Sequence, residues 1–204
     1  MTAHPELPGL IADPDTLADS DHAWPVSASS EEFSNPYLGL GVDTIVDPDG
    51  EGHSRVVVNP HGAVGILAID DADRVLLVEQ YRHPVRHRVV EIPAGTLDVE
   101  GEDPRDAAVR ELAEEADVVA ETWDQTLRLF ATPGYSSEVW TVFRVTGLRP
   151  VPDDERTERL AEEADMQQWW LPFDAAVDAV LDGRIADGMT VAAVLAEQVR
   201  RTRS

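Results

Sequence analysis

Glu111, Glu114 and Glu115 stand within five residues of one another in a segment, Arg110-Glu111-Leu112-Ala113-Glu114-Glu115, that reads as helix. At about 100° per residue their side chains share an arc of roughly 100°. Ala108, Val109, Leu112, Ala113 and Ala116 fill the neighbouring arc. The helix therefore carries an apolar stripe for a core and an acidic stripe beside it. Like charges at i,i+4, here Glu111 and Glu115, repel by about 0.2–0.5 kcal/mol. The helix dipole disfavours carboxylates in the C-terminal half further. A local conflict of this kind is characteristic of functional sites, and a bound cation resolves it. Clustered carboxylate oxygens suit Mg2+ or Mn2+, hard ions that bridge to substrate phosphates. The plainer alternative is a solvated face in an acidic chain.

The elements around these glutamates can be read from punctuation. Asp103 is a good N-cap and Pro104 fits the first helical position, where its missing N–H costs nothing. The helix is expected over 104–116. Asp117 follows it at a place that asks for left-handed backbone, which Asp visits more readily than most residues. Upstream lies a loop, Gly95-Thr96-Leu97-Asp98-Val99-Glu100-Gly101-Glu102.

Loop and helix together resemble the signature of the Nudix hydrolases, G-x5-E-x7-R-E-U-x-E-E-x-G-U, where U is a bulky aliphatic residue. Gly95, Glu102, Arg110, Glu111, Leu112, Glu114, Glu115 and Val118 match. The gap from Gly95 to Glu102 is one residue longer than the general pattern, as in some bacterial ADP-ribose pyrophosphatases. Asp117 stands where the family has Gly. The similarity extends to the ADP-ribose pyrophosphatase branch through Gln80-Tyr81-Arg82, Glu91-Ile92-Pro93-Ala94-Gly95, Pro133 and Glu162-Glu163-Ala164-Asp165-Met166.

The resemblance implies roles. Glu111 and Glu115 hold metal, Glu114 assists, and the Ala94 backbone carbonyl is a further ligand. Glu102 and Arg110 act behind them, an Arg among carboxylates fixing their orientation through bidentate bonds; an intrahelical ion pair is the simpler reading of Arg110. The late acidic loop supplies the general base, Glu163 or Glu162. Arg82 contacts substrate phosphates, and Glu91 and Glu138 contact substrate or metal. The cofactor expected is Mg2+, with Mn2+ as a substitute. Trp24, Phe33 and Tyr37 lie in an N-terminal element that, in relatives, crosses between protomers and offers an aromatic face to adenine. His83 and His87 show no zinc spacing and are read as non-ligands.

Composition narrows the function classes. A formal charge of −24, from 40 acidic residues against 16 cationic ones, argues against nucleic acid, whose binding rests on cations meeting phosphates, and against anionic membrane surfaces. Every fixed side-chain cation is Arg, since no Lys occurs. There is no Cys and hence no thiol chemistry. No apolar run approaches the ~18 residues of a membrane span. Met1–Glu6 lacks a basic region and an apolar segment, so no signal peptide is read and a cytoplasmic location is expected.

Along the chain, residues 1–23 read as loose or partly helical at Leu7–Ile11. Strands are expected over Tyr37–Val46 and Ser54–Asn59 around a Pro48-Asp49-Gly50 turn. Gly62–Asp70 and Arg74–Tyr81 read as a hairpin, followed by strands at Arg88–Ile92, Thr122–Ala131, Val139–Thr146 and Gln168–Leu171. Helices are expected at Phe173–Leu181 and Thr190–Arg200. Residues 1–59 thus form a small N-terminal β element and residues 60–204 the catalytic domain. The fold class expected is α/β, a Nudix-type α/β/α sandwich with a mixed sheet. The activity implied is hydrolysis of ADP-ribose, a nucleoside diphosphate sugar, to AMP and ribose 5-phosphate, by a homodimer with exchanged N-terminal strands. Two rivals remain: the same chemistry on another nucleoside diphosphate sugar or a dinucleotide, and a non-catalytic nucleotide sensor.

Overall fold

The computed structural model describes residues 2–156 and 165–203. Glu162 and Glu163 lie outside the described residues. The chain divides into two compact units, Met1–Ser30 with Val42–Arg55, and Glu31–Gly41 with Val56–Ser204.

In the first unit, β1 (Thr2–Ala3) pairs antiparallel with β2 (Leu10–Ile11). The expected helical turn at Leu7–Ile11 is corrected. Gly9 takes φ +123, a conformation open to Gly alone, and folds the chain back so that Ile11 faces Thr2. Three strands, β3 (Val26–Ser34), β4 (Leu38–Val46) and β5 (Gly52–Pro60), lie side by side in that order and pass through both units. The β4–β5 turn forms as its sequence requires. Asp47 Oδ1 accepts from the backbone N–H of Asp49 and Glu51, both at 2.9 Å, while Gly50 sits at φ +88.

The second unit holds a mixed sheet and an antiparallel one. The mixed sheet runs β10 (Val118–Phe130), β11 (Val139–Pro150), β6 (Ala63–Ala68), β9 (Ala94–Thr96), with β11 and β6 parallel and the outer pairs antiparallel. The other is β12 (Gln167–Pro172), β7 (Arg74–Arg82), β8 (His87–Glu91). Period-2 alternation along β6 decides the layers. Val64, Ile66 and Ala68 pack with Ala107, Ala108, Leu112 and Ala116 of α1 (Pro104–Ala116). Leu67 packs with Phe173 and Ala176 of α2 (Phe173–Leu181) and with Met189, Ala193 and Val194 of α3 (Gly188–Arg203). Strands lie between helices on both faces, the α/β/α arrangement expected. Leu112 is fully buried, so truncating it to Ala would cost about 2–5 kcal/mol.

One expectation is corrected here. β6 and β7 do not form a hairpin ladder. They share one bridge, Ile69 with Val75, beside the Asp70–Asp73 turn, and then diverge into separate sheets. Both strands are buried on both faces. Each is a central strand with two other partners, which an isolated hairpin pattern does not foretell.

Candidate active site

Helix α1 delivers the glutamates. Asp103 Oδ1 caps it by accepting from Arg105 N at 2.8 Å. Asp117 ends it in the left-handed region, φ 52 and ψ 34, and donates its N–H to the carbonyls of Ala113 and Leu112. Between these ends, Glu111 and Glu115 face a cleft of about 1700 Å³ in the second unit. The cleft is also lined by Arg82, Glu91, Ala94, Gly95, Arg110 and Glu138.

Strand β9 crosses beneath α1 at these two glutamates. The Ala94 N–H donates to Glu115 Oε2 at 2.9 Å, and Glu115 is only 5% exposed. A β-carbon added at Gly95 would overlap Glu111 Cγ and Cδ, so the absent side chain makes room for the carboxylate. Arg110 binds three acids at once. It meets Glu102 as a fork, Nε to Oε1 at 3.3 Å and Nη2 to Oε2 at 3.1 Å. Its Nη1 donates to Glu111 Oε1 at 2.6 Å and Glu114 Oε2 at 3.2 Å. The Glu102 bond, and the charge of Glu111 beside it, raise the Arg110 pKa against the opposing effect of desolvation. Arg110 makes the i,i+4 pair with Glu114 and also links Glu102 to Glu111.

Across the cleft, Arg82 forks onto Glu91, Nε to Oε1 at 3.0 Å and Nη2 to Oε2 at 2.7 Å. Glu91 is 6% exposed. That bond raises the Arg82 pKa against partial desolvation, with Glu115 and Asp187 adding to the effect. The loop after β10 folds over its own carbonyl: Tyr135 N and Ser136 N both donate to Thr132 O, at 3.2 and 3.0 Å, and Ala131 N donates to Glu138 O at 3.1 Å. Pro133 sits inside this turn, where its fixed φ favours closure, and Thr132, Tyr135 and Glu138 line the cleft. Tyr37 also lines it, as does His87, whose Nδ1 lies 2.6 Å from Val85 O.

Sequence reasoning missed three residues. Arg88 and Arg184 line the cleft; Arg88 donates Nε to Glu79 Oε1 at 3.1 Å and Nη2 to Asp165 O at 2.9 Å. Asp187, also on the lining, caps α3 by accepting from Thr190 N at 2.8 Å. An Asp three residues before Thr190 was a readable cap signal, and it explains why α3 begins at Gly188, ahead of the expected Thr190.

Residues 59–192 match the family model described as NUDIX domain. The chain belongs to the Nudix family. It is 40% identical over 177 residues to the ADP-ribose pyrophosphatase of Mycobacterium tuberculosis, covering 87% of this chain and 84% of that one. It is 35% identical over 162 residues to the methanol dehydrogenase activator of Bacillus methanolicus, covering 79% and 85%. In fold it matches a crystal structure described as an ADP compounds hydrolase, with TM-score 0.74 and 19% identity over 89% of this chain and 95% of that one. As a Nudix hydrolase the chain belongs to a family that generally uses divalent metal ions.

The donor set in this cleft fits such an ion. Among the described residues no group of three or more His, Asp or Glu side chains is placed to hold a metal ion. A hard cation that keeps several waters and takes substrate phosphates needs only one or two protein carboxylates, and two, Glu111 and Glu115, line the cleft. The cradle at Gly95 holds Glu111 against the β9 backbone. Among the described residues no helix is long and apolar enough to cross a membrane.

Proposed function

We propose that this Nudix hydrolase cleaves the diphosphate of ADP-ribose, giving AMP and ribose 5-phosphate, with Mg2+ as its ion and Mn2+ as a substitute. The observation that carries the reading is the seating of Glu111 and Glu115 on Gly95 and Ala94 at the floor of one cleft, together with the 40% identical relative named ADP-ribose pyrophosphatase.

Glu111, Glu115 and the Ala94 carbonyl hold the ion, with Glu114 assisting. The ion, when bound, lowers the pKa of water and offsets charge on the diphosphate. The protein residues do the rest. Arg82, kept charged and planar by Glu91, meets a substrate phosphate. Glu102 holds Arg110, and Arg110 in turn sets the rotamer of Glu111. Glu138, at the loop closed by Thr132, contacts substrate. Glu163, or Glu162 beside it, takes the proton of the attacking water. That water's oxygen bonds to phosphorus, the bridging P–O bond breaks, and the electron pair leaves with the second phosphate. Four arginines among the described residues of the cleft, Arg82, Arg88, Arg110 and Arg184, stand among six carboxylates, Glu91, Asp98, Glu111, Glu115, Glu138 and Asp187, so the bound ion together with these arginines offsets the charge of the diphosphate.

Residues 1–59 serve as the dimerising and substrate-contacting element, with strands exchanged between two copies. Light scattering on the full chain should give the mass of a dimer; a monomer removes this part of the reading. The central test is product identity. Purified protein with ADP-ribose and Mg2+ should release AMP and ribose 5-phosphate in equal amounts, followed by chromatography. A second reading keeps the chemistry and moves the substrate to another nucleoside diphosphate sugar or a dinucleotide. The differently named Bacillus methanolicus relative makes it worth testing, and kcat/KM across a substrate panel separates the two.

A further inference from the structure

The floor of the cleft is pinned from a direction that the glutamate helix does not explain. Ile92 N donates to Thr190 Oγ1 at 2.9 Å across 98 residues of sequence. Thr190 is fully buried. Its own hydroxyl proton goes to Asp187 Oδ2 at 2.7 Å, and the same oxygen accepts from Thr190 N at 2.8 Å. A hydroxyl has one proton and two lone pairs. With the proton committed to Asp187, the lone pairs are left to face Ile92 N–H.

A second contact comes from the neighbouring residue. A β-carbon at Gly65 would overlap the Met189 sulfur, so Met189 packs directly on the β6 backbone. Gly65 is the residue that pairs with Ala94 in the β6–β9 ladder. The start of α3 therefore grips Ile92 by a hydrogen bond and the strand beside Ala94 by packing. Ala94 is held on its other side by Glu115.

We propose that Thr190, held by Asp187, is a positioning residue for the cation site: it fixes the Ile92–Ala94 segment and so keeps the Ala94–Gly95 peptide seated on Glu115 and Glu111. This rests on the reading of those two glutamates as cation ligands. Outer partners of metal ligands are worth about 10–100-fold in affinity, and Thr190 acts one peptide further back, so the lower end applies.

The test is an electron paramagnetic resonance titration of the metal-free full chain with Mn2+, well below its unfolding temperature. Thr190→Val keeps the shape and removes the acceptor; it should weaken Mn2+ binding about 10-fold. Thr190→Ser restores the hydroxyl and should bind as the wild type does. Glu111→Gln is the control and should lose the site. Folded Thr190→Val with wild-type Mn2+ affinity, beside a Glu111→Gln that has lost it, overturns the positioning role while leaving the cation site standing. Unaltered binding in Glu111→Gln overturns the cation site itself. Should Thr190→Val fail to fold, Asp187→Ala carries the test: it leaves the hydroxyl but releases its proton, so weaker binding supports the role and wild-type binding removes it.

Discussion

The Gly95 α-carbon lies so close to Glu111 that a β-carbon there would overlap the carboxylate's Cγ and Cδ. The glycine of β9 and the first glutamate of the helix are thus one packing unit. Gly95→Ala forces Glu111 out of its rotamer or β9 away from α1. A displacement near 1 Å in a reacting constellation costs about 100-fold. We expect kcat/KM for ADP-ribose to fall by about that factor. A Gly95→Ala protein with wild-type kcat/KM would show that this contact does not govern the reaction.

Glu111→Gln and Glu115→Gln test the proposed ion ligands. Each should lower kcat/KM by about 100-fold or more, since the loss exceeds the 10–100-fold typical of residues behind a ligand. Circular dichroism should show both folded. Glu115→Gln carries a structural cost as well, because its carboxylate accepts the Ala94 N–H in a buried setting; a charge-assisted bond becomes a neutral one of about half the strength.

Ion binding should also appear as stability. Ligand at about 100 times its Kd adds about 2.7 kcal/mol to the folded state, which for a chain of this size raises Tm by roughly 5–11 °C. Thermal scans with rising Mg2+ should show that rise in the wild type and none in the Glu111→Gln, Glu115→Gln double variant. Chelation should stop turnover and Mg2+ should restore it.

Arg110→Lys keeps the charge and loses the fork onto Glu102. Planar bidentate recognition does not transfer to an ammonium. We expect a 10- to 100-fold loss in kcat with little change in KM, read from steady-state kinetics. A loss confined to KM would place Arg110 on the substrate instead.

Much of this site was legible from residue types. Asp103-Pro104 announced the start of α1, Asp117 its left-handed end, and Glu111 and Glu115 their common side, because each is a property of adjacent residues; Glu114, read as part of the same stripe, is not on the cleft lining. The layers were legible too, since β6 is apolar at every position. What escaped is long-range. Nothing near Ile92 points to Thr190, and nothing near Arg88 points to Asp165 (77 residues away). The false hairpin of β6 and β7 has the same origin: a tight turn specifies where two strands meet, while their two-sided burial decides which partners they take. Leu7–Ile11 reads as loose or partly helical, and the turn at Gly9 sends it into a strand pair instead.

Glu197 gives a stability prediction with a defined sign. It is 3% exposed on α3 and accepts from Arg144 Nε at 3.2 Å, Arg200 Nε at 2.7 Å and Arg201 Nε at 2.9 Å. Burial alone would raise its pKa, but the bonds from Arg200 and Arg201 and the charge of Arg144 overcome that and hold it at about 2, against 4.5 ordinarily. A carboxylate whose folded pKa is depressed stabilises the fold fully above its unfolded pKa and loses that contribution as pH falls through its folded one. The Glu197 contribution is therefore complete above about pH 4.5 and gone near pH 2. Urea unfolding at pH 7 should show Glu197→Ala less stable by about 3 kcal/mol, which is what a carboxylate held at about 2 instead of 4.5 corresponds to by linkage. Between pH 4.5 and 2, the gap between wild type and Glu197→Gln should close. A gap constant with pH would rule out this ion-pair cluster as the source.

The guanidinium that spans Glu102, Glu111 and Glu114 acts as a resident counter-ion. Many small metal proteins are unstructured until their ion arrives; here, the crowded anions already have an internal cation to lean on. On the proposed reading, folding is thereby uncoupled from the supply of the ion. Under the proposed function, protein purified without a divalent ion should be folded and idle, and adding the ion should start turnover without refolding.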